Sequence, residues 1–130
     1  MLLRLFLLPK SVRGLKQQKE KLMKTEEIKR IAEELIAKLR SEVKIVRIYA
    51  YGSQVREEAE LGSDLDFLIE VPEKTASLKR RIQNAAWELS LEKEIVISVV
   101  VVSESEFHYG PLSVSSLARN IEREGIEIAA

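Results

Sequence analysis

Residues 44–71 read KIVRIYAYGSQVREEAELGSDLDFLIEV, and this stretch decides which kind of fold the chain adopts. Its two ends, residues 44–51 and 65–71, are rich in β-branched and aromatic residues, a composition typical of strands. Gly52 ends the first segment, and Pro72 stops the second. The polar residues 53–63 are therefore expected to connect two strands.

Helical patterns surround these two strands. Apolar residues recur at helical spacing from Ile28 to Leu39, and Thr25 is predicted to be the N-cap of this first helix. A second amphipathic helix is expected around residues 78–89, followed by a buried strand at 95–102 and a last helix that ends near Gly125. Ser103 and Glu106 have the spacing of a capping box for one short turn. The pattern predicts an α/β (α+β) fold, with a small mixed sheet of three or four strands and helices mainly on one face.

The composition limits the classes of protein to consider. With 130 residues, 45% hydrophobic and 32% charged, the chain fits one globular domain and is neither disordered nor a membrane protein. It contains no cysteine, which excludes disulfides, thiolate metal sites and a cysteine nucleophile. A cytoplasmic location is expected, since the absence of disulfides fits a reducing compartment.

Charge is distributed unevenly along the chain. Residues 1–24 contain seven basic residues and one acidic residue, so the remaining 106 residues have a net charge of −6. We predict that residues 1–24 form a basic N-terminal tail outside the functional domain, and that residues 25–130 form the domain. An acidic domain argues against binding extended nucleic acid, whose affinity comes mainly from cations that neutralise phosphates. The apolar run at residues 1–8 is too short to span a membrane.

Two short motifs can carry chemistry. Gly52 and Ser53 end a predicted strand, where a glycine allows close approach to a ligand and a serine offers a hydroxyl to a phosphate. Asp64 and Asp66 begin the next strand, where residues i and i+2 point to the same face. Two convergent carboxylates suit Mg²⁺. Each motif alone could also be an ordinary turn or a solvated strand end.

The two motifs occur together at a characteristic spacing. Ten residues separate Ser53 from Asp64, and the segment YGSQVREEAELGSDLDFLIEV resembles the signature of the polymerase-β-like nucleotidyltransferase superfamily. It is most similar to the minimal MNT-domain members, of the MntA antitoxin type. Arg56 matches the basic residue three places after the serine. The chain departs from the common pattern at Gln54 and Glu57.

The resemblance implies a nucleotidyltransferase fold and Mg²⁺-dependent transfer of AMP from ATP to a hydroxyl of a partner protein, a HEPN-type toxin. Asp64 and Asp66 would be the catalytic, metal-binding residues, and Gly52, Ser53 and Arg56 would bind the nucleotide. Active members usually carry a third carboxylate on the following strand. In this chain Ser98 or Glu94 would have to occupy that position.

Other functions remain open at the level of sequence. A degenerate fold could neutralise its partner by occlusion alone, and the missing third acid favours this binding-module alternative. Modification of a small hydroxyl compound is a third reading, although enzymes of that type generally carry an added helical domain. The preferred nucleotide, the acceptor and the choice between a homo-oligomer and a hetero-oligomer are not determined by the sequence.

Overall fold

The computed structural model describes residues 10–52, 55 and 64–128, with side chains described from Thr25 onward. Within these residues the strands are Arg47–Tyr51 (β1), Leu65–Val71 (β2), Ile97–Ser103 (β3) and Ile126–Ile128 (β4). The helices are Lys10–Leu39 (α1), Ala76–Lys93 (α2), Glu104–His108 (α3) and Ser116–Glu124 (α4). A 3₁₀ turn at Pro111–Val114 lies between α3 and α4.

The strands form one mixed sheet in the order β3-β2-β1-β4. β1 pairs antiparallel with both β2 and β4, whereas β2 and β3 are parallel. Parallel neighbours cannot be joined by a tight turn, so the chain crosses over through α2 between β2 and β3. The expected small mixed sheet is confirmed.

Strand alternation divides the sheet into two faces. The odd-numbered residues of β2 are buried on the face covered by α1 and α2, where they form the main hydrophobic core. α1 contributes Ile28, Ile31, Ala32, Leu35, Ile36 and Leu39 to this core, and α2 contributes Ile82, Ala85, Ala86 and Leu89. The two long helices therefore lie on one face, as the periodicity predicts.

Short elements cover part of the other face. Leu68 of β2 and Val102 of β3 form a second cluster with Phe107 of α3 and with Ala118 and Ile121 of α4. These contacts lie toward the carboxyl end of β2. The end of this face near the start of β2 and β3 is left accessible, and Ser98 there is exposed.

A fully buried carboxylate ties α3 to the sheet. Glu70 Oε1 lies 2.7 Å from His108 Nε2, and Glu70 Oε2 lies 3.8 Å from Arg47 Nε. Neither oxygen has a partner with hydrogen-bond geometry among the described residues, so the attraction is Coulombic and includes His108 when its imidazole is protonated. Burial of a carboxylate is costly without such neighbouring cations.

Capping signals mark most helix boundaries, and the start of α1 is the exception. Ser103 and Glu106 form the predicted capping box of α3, and Gly125 ends α4. The prediction that Thr25 begins the first helix is wrong, because α1 starts at Lys10. Residues 10–24 consist largely of Lys, Gln and Leu, which favour helix and continue it past an internal capping residue.

One strand is shorter than its composition suggests. β1 begins at Arg47, not at residue 44. Val46 still donates its N–H to the Glu70 carbonyl oxygen over 2.8 Å. Residues before Val46 would have to pair beyond Val71, where Pro72 has no N–H to donate.

In the part of the chain that the structure describes, no helix is both long and apolar enough to cross a membrane.

We expect a chain shortened to begin at Met23 to melt at the same temperature as the full chain. Among the residues whose side chains are described, those that α1 buries begin at Ile28. Its ion pairs to α2 involve Glu34 and Lys38, and Glu42 just after the helix adds another. Thermal circular dichroism measures the result, with a chain beginning at residue 33 as the destabilised control. A drop of several degrees for the longer variant, equivalent to about 1 kcal/mol, would show that residues 1–22 pack on the core.

Candidate functional site

Three polar side chains form a row across the accessible end of the sheet. Tyr51 of β1 pairs with Asp66 of β2, and Asp66 pairs with Ser98 of β3. Residues paired in register on neighbouring strands share a face of the sheet. The three side chains therefore lie on the face opposite α1 and α2, with the carboxylate of Asp66 in the middle.

Gly52 lies directly beside this carboxylate. A Cβ atom added to Gly52 would lie 2.6 Å from Asp66 Oδ2, closer than side-chain atoms approach one another. Gly52 also has a φ of +86°, in the left-handed region that other residues adopt at a cost. Both the backbone conformation and the close approach of the Asp66 carboxylate thus require a glycine at this position.

Tyr51 is a part of the site that the sequence analysis missed. Its side chain is half-buried, and burial followed by the charge of Asp66 raises the pKa of its hydroxyl. Both causes disfavour a tyrosinate, so the Tyr51 hydroxyl remains protonated at neutral pH. The available signal was the position of Tyr51 one residue before Gly52, but its pairing with Asp66 depends on the strand register.

The carboxylates predicted for this site lie in different environments. Asp66 is half-buried within β2, whereas Asp64 is exposed and directly precedes the strand. Glu94 is exposed and caps the carboxyl end of α2 with a left-handed φ of 55°. Of the two positions considered for a third acid, the structure places Ser98 in register with Asp66 and Glu94 outside β3.

Of the three residues predicted to bind the nucleotide, the structure describes Gly52. Ser53 and Arg56 lie outside the described residues. Within residues 53–63, the structure describes Val55. This residue is helical and packs against the main core. This contact anchors the connection just after Gly52.

Together with Asp64, the carboxylate of Asp66 in this row is a suitable donor set for Mg²⁺. Mg²⁺ in nucleotide sites is usually held by one or two carboxylates together with phosphate oxygens and waters. Asp66, in contact with Gly52, and Asp64 two residues earlier supply two such carboxylates. Over residues 10–52, 55 and 64–128, no group of three or more His, Cys, Asp and Glu side chains is arranged to hold a metal ion.

A separate pocket lies farther along the same face of the sheet. It has a volume of about 610 Å³, and Arg47, Tyr49, His108 and Glu127 line its walls. The rings of Tyr49 and Phe107 stack with centroids 6.0 Å apart. The buried Glu70 lies against both Arg47 and His108, a contact that sequence spacing gives no means of finding. This cluster does not include Asp66 or Ser98.

Comparison with known proteins identifies the family. The profile of the nucleotidyltransferase domain family matches residues 28–128. No curated protein sequence matches the chain. The fold is similar to that of a toxin–antitoxin crystal structure with AMP-PNP, with a TM-score of 0.54, 18% identity and coverage of 75% of this chain and 72% of that chain.

Mutants of the MntA-HpeT toxin–antitoxin have the same fold. One has a TM-score of 0.52 and 19% identity over 76% of this chain and 72% of that chain. A second has a TM-score of 0.52 and 17% identity over 75% of this chain and 71% of that chain. These likenesses agree in fold with the profile match, which spans most of the chain. The chain therefore belongs to the nucleotidyltransferase domain family.

Proposed function

We propose that the protein transfers AMP from ATP, in a Mg²⁺-dependent reaction, to a hydroxyl of a partner protein. The observation that carries this proposal is the placement of the Asp66 carboxylate against the glycine backbone of Gly52, on an accessible end of the sheet. A carboxylate beside a strand end on an accessible part of the sheet suits the metal of a metal-bound triphosphate. Asp64 and Asp66 hold the metal in this proposal, and Gly52, Ser53 and Arg56 bind the nucleotide phosphates.

The reaction exchanges a phosphoanhydride bond of ATP for a phosphodiester bond to the acceptor. The acceptor oxygen forms a bond to the α-phosphorus of ATP, the bond from that phosphorus to the β-bridging oxygen breaks, and pyrophosphate leaves. When bound, Mg²⁺ neutralises phosphate charge and orients the reacting oxygens. The protein contributes mainly by holding the reactants in line, with Asp66 on a strand that is packed under two helices and Gly52 allowing the turn beside it.

The proton of the acceptor hydroxyl requires a base. Ser98 occupies the register position beside Asp66, and a serine hydroxyl is too weakly basic at neutral pH to accept that proton. Slow transfer through two carboxylates alone is therefore expected, unless Glu94 or the partner supplies the base. A positioned general base typically contributes about 10²–10⁴ in rate.

The proposed partner is a HEPN-type toxin, and the proposed role is that of a cytoplasmic antitoxin. Support comes from the similar structures, which are toxin–antitoxin complexes, one of them with the ATP analogue AMP-PNP. The HEPN class of the toxin rests on the resemblance to MNT-domain proteins. The second candidate is a binding module that neutralises the toxin by occlusion, and Ser98 at the register position of a third acid favours it.

Replacing both carboxylates tests the proposed metal site. The double change Asp64→Asn with Asp66→Asn is expected to abolish Mg²⁺-dependent ATP binding while the fold stays intact or becomes slightly more stable, because repulsion between two like charges is removed. Isothermal calorimetry in Mg²⁺ measures the affinity. Glu73→Gln, an exposed acid just after β2, is the control and should bind like the wild type. Unchanged affinity in the double variant would eliminate the carboxylates as the metal site.

The ionisation of Tyr51 provides a second readout of the same site. The negative charge of Asp66 raises the pKa of Tyr51 in addition to burial, so Asp66→Asn and saturating Mg²⁺ should each lower that pKa. Tyrosinate absorbance during a pH titration measures the shift, and Tyr51→Phe identifies the transition that belongs to this residue. A Tyr51 transition that Mg²⁺ leaves in place would show that the ion does not bind at Asp66.

Single-turnover transfer of labelled AMP to the toxin distinguishes the roles of Ser98 and Glu94. Ser98→Asp is expected to accelerate transfer because it adds a carboxylate beside Asp66, and Glu94→Gln should leave the rate unchanged. If the wild type is already fast and Glu94→Gln alone is slow, Glu94 is the third acid. If the wild type and both variants transfer no AMP and still inhibit the toxin, the protein acts by occlusion. Labelling of a small hydroxyl compound in place of the toxin would assign a different acceptor.

A further inference from the structure

The carboxylate of Glu70 is an exception among buried polar groups. Glu70 is completely buried in β2, and neither of its carboxylate oxygens has a hydrogen-bond partner among the described residues. Buried polar atoms are almost always partnered, so such an exception requires a physical explanation. Two side chains with cationic forms lie beside it, with His108 Nε2 at 2.7 Å from Oε1 and Arg47 Nε at 3.8 Å from Oε2.

The positive charge of Arg47 is shared with other groups. Its Nε lies 3.9 Å from Glu127 Oε1, and its guanidinium also interacts with the side chain of Tyr49. The Arg47 side chain is 43% exposed, so solvent reduces its attraction for Glu70. Arg47 therefore compensates the buried charge only in part, and a proton on His108 would complete the compensation.

Unlike Glu70, His108 is accessible to protons from solvent. Its side chain is 37% exposed and lines the pocket of about 610 Å³. The titratable groups that face it are Glu70 on β2, Arg47 and Tyr49 on β1, Glu122 on α4 and Glu127 on β4. The ring of the next residue, Tyr109, lies 6.3 Å from the imidazole. Among these groups, the carboxylate of Glu70 is the one in ion-pair contact with His108.

The docking of α3 on the sheet depends on few contacts in the described part of the chain. This helix has five residues, and a helix so short is not stable by itself. Phe107 is its buried residue, and the Phe107 ring stacks on Tyr49 with centroids 6.0 Å apart. The ion pair between Lys74 and Glu106 is exposed to solvent and contributes little. The contact of His108 with Glu70 is therefore important for the position of α3.

We propose that Glu70 and His108 form a pH-sensitive latch, in which a proton on His108 tightens the docking of α3 on the sheet and loss of that proton loosens it. With the proton, the imidazolium and the buried carboxylate form an ion pair. Without it, the carboxylate keeps only the shared charge of Arg47, and an incompletely compensated buried charge is costly. The stabilisation is thus present on the acidic side of the histidine range and is lost as the pH rises through it.

The latch acts on the covered part of the face that carries Asp66. Phe107, next to His108, belongs to the second cluster together with Leu68, and Leu68 is two residues from Asp66 on the same face of β2. Loosening of α3 at higher pH would uncover apolar surface beside the accessible end of the sheet. The proposal concerns only the docking of α3, so it does not depend on the proposed transferase activity.

The chain has one histidine, so NMR of the full chain can follow its imidazole directly from about pH 5 to 9. Glu70→Gln removes the buried charge and should lower the proton affinity of the His108 imidazole about tenfold. Glu122→Gln removes an exposed acid from the same pocket and is the matched control. This control should leave the proton affinity of His108 close to that of the wild type.

Hydrogen exchange tests the connection between the proton and the docking of α3. The amides of Tyr109 and Gly110 both donate to the Ser105 carbonyl oxygen over 2.9 Å, so their protection reports whether α3 is closed. After correction for the intrinsic pH dependence of exchange, this protection should be roughly tenfold greater at about pH 5.5 than at about pH 8. His108→Gln should make it independent of pH. The Val43 amide, at the end of α1, should show no difference in either protein.

Three outcomes would overturn the proposal. Glu70→Gln and Glu122→Gln could titrate alike, which would show that His108 does not sense the buried carboxylate. The protection of Tyr109 and Gly110 could be equal at the two pH values or greater at the higher one. His108→Gln could keep the pH dependence of the wild type, which would assign it to another group. Circular dichroism establishes that the variants are folded, and if Glu70→Gln does not fold, the exchange comparison of the wild type with His108→Gln decides.

Discussion

The contact between the Asp66 carboxylate and the backbone of Gly52 depends on the antiparallel pairing of β1 with β2. This pairing brings the residue after Tyr51 so close to Asp66 that a Cβ atom would come within 2.6 Å of the carboxylate. The same register places Tyr51 beside the carboxylate and raises the pKa of its hydroxyl through burial and charge. A shift of one residue between the strands would turn Asp66 toward the buried core, so the packing of Phe67 and Ile69 under α1 and α2 holds the site in place.

The two faces of the sheet have different roles because long helices cover one face and short helices cover only part of the other. The long helices bury one face completely, which makes β2 a rigid support. On the other face, α3 and α4 cover the carboxyl end of β2 and leave the Asp66 end accessible. Glu70 marks the boundary as a buried carboxylate between His108 and Arg47, and its contact with His108 connects α3 to the sheet.

The register of β3 with β2 affects the chemistry that we propose. Ser98 lies in register with Asp66 where family resemblance implies an acid, so the site offers two carboxylates from one strand.

The sequence by itself predicted most of the elements, although not β4, and the identity of the motifs. Residue composition and the stop at Pro72 located β2, and spacing of 3.6 residues located the helical faces because burial of an apolar face is a local constraint on spacing. The capping box at Ser103 and Glu106 is equally local. The prediction of a helix start at Thr25 failed, since a capping residue does not begin a helix when the residues before it also favour helix. The pairing of Tyr51 with Asp66, the position of Ser98 beside it and the contact of Glu70 with His108 were decided only by tertiary structure. These contacts join residues that are 15 to 38 positions apart, and their geometry depends on strand register and helix docking, which no local pattern encodes.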